Sequence, residues 1–232
     1  MYTDAEGMKP LPIPEEMTEK DIQLTIREFT RAAMNAIDAG FDGVELHAAN
    51  GYLLEQFIRP NTNQRRDGYG GPIENRARFV LEAVNSVSGV IGKDRVGIRL
   101  SPFGVFNDMP SYDAMESDYA FLAHKLGKTG SLAYIHLVDH SSMGAPVVPD
   151  SIKETFRNAF DGALILSGGY DAKRAENDLA AGRADLIAVG RPFLANPDLP
   201  ARWQKGATMN VPDMNTFYTP GEHGYTDYPV MS

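Results

Sequence analysis

Residues 41–52 read FDGVELHAANGY, and the fold turns on how that stretch is divided. Val44 and Leu46 fit a short buried strand with Glu45 as a polar residue inside it. The predicted strand, residues 43–46, runs straight into His47, Asn50 and Tyr52. In a parallel α/β sheet the residues just past a strand's C-terminal end face the ligand crevice. Three hydrogen-bonding side chains so close to such an end make a candidate binding cluster.

Working outward, the preceding segment carries Ile22, Ile26, Phe29, Ala33 and Ile37 at helical spacing. This predicts a helix over 18–39 with Thr18 as N-cap, paired with Asp21, and Gly40 just past its end. Before it, residues 1–17 hold three prolines and no period, and read as an arm. After the strand, 48–73 is a long loop dense in Asn, Arg, Gly and Pro. Leu53, Leu54, Phe57 and Ile58 mark a short helical turn inside it, and loops of that length are usually functional or disordered. A helix is predicted over 73–88. Four further units repeat the pattern, with strands at 96–100, 132–138, 163–166 and 186–189. Helices follow them at 113–126, 151–159, 171–181 and 198–205. Five strands alternating with helices imply a parallel sheet with right-handed crossovers. They are too few to close an eight-stranded barrel, and the chain opens on a helix as though strands preceded it.

The chain has 232 residues, 43% hydrophobic and 23% charged, an ordinary globular composition for one domain. A net charge of −9 leaves no basic patch for nucleic acid. No apolar run approaches the roughly 20 residues of a membrane span, and no N-terminal signal pattern is present, so the expected location is the cytoplasm. With no cysteine there are no disulfides, thiolate metal sites or cysteine nucleophiles. No histidine or carboxylate stands at a metal-ligand spacing, and none of the glycine pairs makes a dinucleotide fingerprint. His136 and His140 read as solvent-facing or satisfied core histidines.

His47 and Asn50 can both donate to one oxygen, and so could polarise a carbonyl or nitro group. Tyr52 could deliver a proton to a developing carbanion, since a phenol with a pKa near 10 stays protonated until needed. The plainer alternative, that His47 caps the sheet and Asn50-Gly51 is only a turn, stays open on spacing alone. Arg99 is a lone charge in an apolar strand, costly unless paired. An ion pair with Glu45 is the favoured reading, and an anionic ligand is the alternative. Ser167-Gly168-Gly169 and Gly190-Arg191 end successive strands before helices, where backbone N–H groups can approach a phosphate.

Together, VELHAANGYLLEQF, NQRRDGYGGPIENRARFVLEAV, RVGIRLSPFGVF, GRPFLANPDL and the closing FY…HGYTDYP resemble the old yellow enzyme family of flavin-dependent ene reductases. The resemblance runs from Ile22 to Pro229. It implies an α/β fold, a (β/α)8 TIM barrel with FMN held at its C-terminal mouth. NADPH or NADH would serve as reductant, and small-molecule alkenes activated by a carbonyl or nitro group as substrates. By that resemblance His47 and Asn50 anchor the substrate's oxygen, and Tyr52 is the proton donor. Arg99 lies near the flavin's pyrimidine edge, and Gly168, Gly169, Gly190 and Arg191 hold the phosphate. Phe217 packs on the dimethylbenzene side, and Tyr218 lines the substrate pocket. The five units would be strands 4–8 of a partial barrel spanning 18–206, with the arm 1–17 before it and a tail, 207–232, lining the site. The first three strands are expected to be missing. The rival expectation is a catalytically silent fragment, completed by self-association or by a partner chain carrying the other half-barrel.

Overall fold

The computed structural model describes residues 12–130 and 132–231, together with the backbone of Tyr2–Thr3 and Gly7–Met8. Those two pairs, β1 and β2, form a short antiparallel ladder within the arm. The rest of the arm before Pro12 lies outside the described residues.

Helix α1, Glu19–Asp38, starts where the sequence places it: Thr18 accepts from the Asp21 N–H while Asp21 accepts from the Thr18 N–H. This reciprocal capping box satisfies two of the end donors that the helix leaves open. Gly40, at φ +93°, releases the chain into a left-handed turn. Ile22, Ile26 and Ala33 are buried against helix α4, Arg78–Ile91, with Phe29 lying 6.5 Å from Phe79. Each fully buried Ile contributes on the order of 1.5–3 kcal/mol.

Five strands make one parallel sheet in sequence order: β3 (Val44–Ala48), β4 (Val96–Leu100), β5 (Tyr134–Val138), β6 (Ala163–Ser167) and β7 (Leu186–Ala188). Helices α2 (Leu53–Ile58) and α3 (Ile73–Arg76) lie between β3 and α4. Helices α5 (Met115–Thr129), α6 (Asp150–Ala159), α7 (Ala172–Ala180), α8 (Arg191–Ala195) and α9 (Leu199–Lys205) follow later strands. The partial α/β barrel expected from the sequence is therefore present, with β3 and β7 at the sheet edges among the described residues. No helix among these residues is long and apolar enough to cross a membrane.

Three boundaries differ from expectation. Strand β3 extends to Ala48, so His47 lies inside the strand rather than past its end. The helix expected over 73–88 is divided at Ala77 and continues to Ile91, where Gly92 at φ +96° stops it. Arg191 opens a short helix of its own ahead of the one expected at 198–205, with Pro192 beside it in the first turn, where its missing N–H costs nothing.

Strand alternation separates two faces. Leu46, Ile98, Leu100, Ile135, Leu137 and Leu164 point toward the helices and are buried. Glu45, His47, Arg99, Tyr134, His136 and Ser167 occupy the alternate positions and share the inner face.

Candidate active site

Register places His47 opposite Arg99, and Arg99 opposite His136, in one row across the inner face. Two residues nearer the strand N-termini, Glu45, Gly97 and Tyr134 form the next inner row. The Tyr134 ring lies where a side chain at Gly97 would have to go.

The ion pair expected between Glu45 and Arg99 does not form. Glu45 Oε2 meets His136 Nδ1 at 3.0 Å, and His136 Nε2 meets Ser167 Oγ at 2.8 Å. Glu45 sits a row back from both Arg99 and His136, and its carboxylate is taken up by the His136 imidazole. Burial pushes the Glu45 carboxyl up, but His136, by hydrogen bond and charge, together with Tyr134 and Arg99 outweighs that and holds its pKa below the usual range. Arg99 Nε is buried with no hydrogen-bond partner among the described residues. Burial lowers the Arg99 pKa, with Glu45 opposing. A buried donor without an acceptor is costly, so Arg99 suits an electron-rich occupant of the inner face.

The loop after β3 is held by the loop after β4. Asn50 (φ +59°) and Gly51 (φ +74°) make a left-handed turn, so the expected turn and the expected cluster coincide. The Asn50 N–H donates to Ser101 Oγ at 2.9 Å, and the Asn50 carbonyl accepts from Asn107 Nδ2 at 2.8 Å. Ser101 Oγ and the Gly51 N–H both donate to Glu55 Oε2, at 2.9 and 2.7 Å. Glu55 Oε1 accepts from Tyr119 Oη at 2.9 Å and from Arg59 Nη2 at 2.9 Å, while Arg59 reaches the Gly104 carbonyl at 2.9 Å. Glu55 and Arg59 are buried, at 1% and 0% exposure. They are a scaffold that sequence reading passed over, although the i,i+4 pair inside the apolar LLEQFIRP run was a visible signal.

Of the predicted cluster, Tyr52 lies beside His47, which stands opposite Arg99, while Asn50 is tied to the loop after β4. The Tyr52 ring lies 5.2 Å from His47 and is 55% exposed, so its hydroxyl is open to solvent. Burial, reinforced by Arg99, keeps the His47 pKa below the ordinary imidazole value. His140, read as solvent-facing or as a satisfied core histidine, is half-buried and hydrogen-bonded within the site: its Nε2 is 2.7 Å from Asn50 Oδ1.

Gly168 (φ +112°) and Gly169 (φ +63°) end β6 in a conformation that favours glycine. A Cβ on Gly168 would overlap the Asp139 carbonyl, so the residue has no room for one. Arg174 Nη1 donates to the Gly168 carbonyl at 2.9 Å and stacks 4.2 Å over Tyr170. Gly190 caps α8 and Arg191 is exposed on its first turn. Phe217 is half-buried, whereas Tyr218 is 98% exposed and packs on none of the cluster. A cleft of about 730 Å³ between residues 12–17 and α2, lined by Leu53, Gln56, Phe57 and Arg65, includes none of the cluster residues.

The parallel α/β half-barrel thus carries Arg99, His47 and His136 in one row of its inner face, with Arg99 Nε lacking a partner among the described residues. Residues 3–210 match the NADH:flavin oxidoreductase / NADH oxidase family, and the chain belongs to it. The resemblance to old yellow enzymes and the FMN it implies are thus borne out at family level, with a nicotinamide as the family's reductant. The chain is 44% identical over 222 residues to 12-oxophytodienoate reductase 1 of Oryza sativa subsp. japonica, covering 94% of this chain and 58% of that protein. It superposes on morphinone reductase in complex with tetrahydroNAD with a TM-score of 0.92 at 43% identity, covering 100% of this chain and 62% of that one. For the old yellow enzyme homologue from Zymomonas mobilis the TM-score is 0.92 at 35% identity, over 97% and 64% of the two chains. The chain therefore spans somewhat under two thirds of these relatives.

Proposed function

We propose that this chain carries the substrate- and flavin-facing half of an ene reductase acting on alkenes conjugated to a carbonyl or nitro group. The observation that carries the reading is the row His47–Arg99, which sets a neutral imidazole beside a half-buried guanidinium whose buried Nε lacks a hydrogen-bond partner among the described residues. Arg99 would meet the electron-rich pyrimidine edge of FMN, and the backbones of Gly168, Gly169 and Gly190, with Arg191, would hold its phosphate. Phe217 and Tyr218 are assigned to the flavin's other side and to the substrate pocket. When bound and reduced by NADH or NADPH, FMN would supply the hydride for the alkene's β-carbon.

The chain's own residues do the rest. His47 and Asn50 donate to the substrate's oxygen and withdraw electron density from the alkene, which makes the β-carbon electrophilic. Tyr52 Oη donates the proton that the α-carbon needs as the carbanion develops. The relatives named for 12-oxophytodienoate and morphinone reduction support a reductase of this type.

The test is the visible spectrum of the purified chain before and after FMN addition, followed by anaerobic reduction with NADPH or NADH. A flavin spectrum that bleaches and then recovers on adding an unsaturated ketone is expected. A chain that takes up no FMN overturns the reading. A second reading, that the sheet is completed by another chain or by self-association, is favoured by the single-sided pairing of β3 and β7. Light scattering separates the two, since a monomer that binds FMN excludes the need for a partner.

A further inference from the structure

His140 lies outside the proposed reaction's residues, yet it is fixed from three directions. Its carbonyl accepts from the Met143 N–H at 2.8 Å and the Ala145 N–H at 3.3 Å, which pins the backbone. Phe106 meets its ring edge-on, with centroids 4.6 Å apart and planes at 63°, which sets the ring's plane. Its Nε2 is then delivered to Asn50 Oδ1 at 2.7 Å. Three different loops, after β3, β4 and β5, thus converge on one hydrogen bond.

We propose that His140 is a positioning residue that donates its Nε2–H to Asn50 Oδ1 and thereby leaves the Asn50 NH2 group as a free donor on the side away from His140. A carboxamide presents an acceptor on one side and donors on the other. The backbone of Asn50 is already held by Ser101 and Asn107, so the side chain's remaining freedom is the flip of its amide. With Oδ1 occupied by His140, the side left for a ligand is a donor. No acceptor among the described residues takes a hydrogen bond from Asn50 Nδ2. His47 on the same face is a second potential donor, so the pair selects an occupant that presents an acceptor oxygen and disfavours one that presents N–H or O–H. The surrounding charges suit this arrangement. Burial lowers the His140 pKa, Arg99 and Arg191 reinforce that, and Glu55 and Asp139 oppose it. The ring is therefore neutral near pH 7 and has a single N–H to place.

The assignment rests on the reading of Asn50 as a contact to substrate oxygen, and its test separates the two. Long-range proton–nitrogen NMR on the 15N-labelled chain reads the tautomer directly. Protonated Nε2 with bare Nδ1 on His140 is expected, and protonated Nδ1 with bare Nε2 overturns the proposal. In the FMN-loaded chain, p-substituted phenol titrations follow the charge-transfer band. His140→Leu is expected to weaken binding about tenfold, the loss of roughly one hydrogen bond. His140→Gln, whose side-chain amide can donate to the same oxygen, is expected to restore most of it. Leu binding as tightly as wild type, or Gln binding as poorly as Leu with native circular dichroism, also overturns it. If His140→Leu fails to fold, the tautomer measurement decides. Wild-type protein that binds no phenol refutes the substrate-oxygen reading of Asn50, while the tautomer still decides the orientation of the amide.

Discussion

His47 and Arg99 stand opposite each other in the parallel register of β3 and β4, so an imidazole and a guanidinium share one row of a partly buried face. The pairing disfavours a second positive charge, and the His47 pKa is lowered first by burial and then by Arg99. The His140 pKa is lowered by the same two causes. Groups whose folded pKa falls below the unfolded value stabilise the fold above the unfolded pKa, and that stability is lost as pH falls. The contribution of His47 and His140 to the midpoint of thermal unfolding is expected to be flat above about pH 6.5 and to drop below it, before the carboxylates titrate. His223, raised by exposed Asp227, acts in the opposite sense at the surface. Replacing both His47 and His140 by Gln should flatten the drop, and an unchanged slope between pH 7 and pH 5 would refute the linkage.

Arg99 shows whether an unpaired charge is kept for folding or for a ligand. Its Nε lacks a partner and Glu45 is engaged by His136. Arg99→Met, which keeps the aliphatic stem, is expected to leave the melting temperature unchanged or higher. FMN binding, followed by quenching of flavin fluorescence, should weaken about tenfold or more with loss of a charge-assisted hydrogen bond. A destabilised variant that still binds FMN normally would assign Arg99 to the fold instead.

Glu55 is the hub of the loop scaffold, and its partner Arg59 is fully buried. Glu55→Gln leaves the guanidinium without its counter-charge in a dry setting. The expected cost is about 3–5 kcal/mol, read as a lower urea midpoint at constant slope. Because Glu55 also holds the Gly51 N–H and Ser101, ligand affinity should fall with stability. A loss under about 1 kcal/mol would mean the pair contributes little.

Tyr52 can be changed with little structural consequence, since its side chain is largely exposed. Tyr52→Phe should shift stability by no more than about 0.5 kcal/mol. In stopped-flow absorbance it should slow alkene reduction by at least about tenfold while sparing flavin reduction by NADPH or NADH. Equal loss in both half-reactions would remove Tyr52 from the proton-donor role.

Much of the fold was legible because its signals are local. Thr18 with Asp21 caps α1, Gly40 ends it, and the apolar stripe from Ile22 to Ala33 names the buried side. Short apolar strands before polar ends gave β3 to β7 in order. Boundaries set by neighbours rather than by propensity were not legible, as with His47, which pairing with Arg99 draws into β3.

The amino-acid sequence by itself determined the strand–helix order, the parallel sheet, the candidate cluster His47–Asn50–Tyr52 and, through its long motifs, the family. Only the tertiary structure decided which of these residues meet. Arg99 was expected to pair with Glu45, yet register sets it beside His47 and His136 and leaves Glu45 to His136. His140 was read only as solvent-facing or satisfied in the core, and the structure supplies its partner: an atom of Asn50 at 2.7 Å, 90 residues away in the chain. The physical reason is that residue spacing encodes a strand's period and a helix's face. Which side chains complete one another's hydrogen bonds is fixed by sheet register and by loops packing on loops, and neither leaves a local pattern in the sequence.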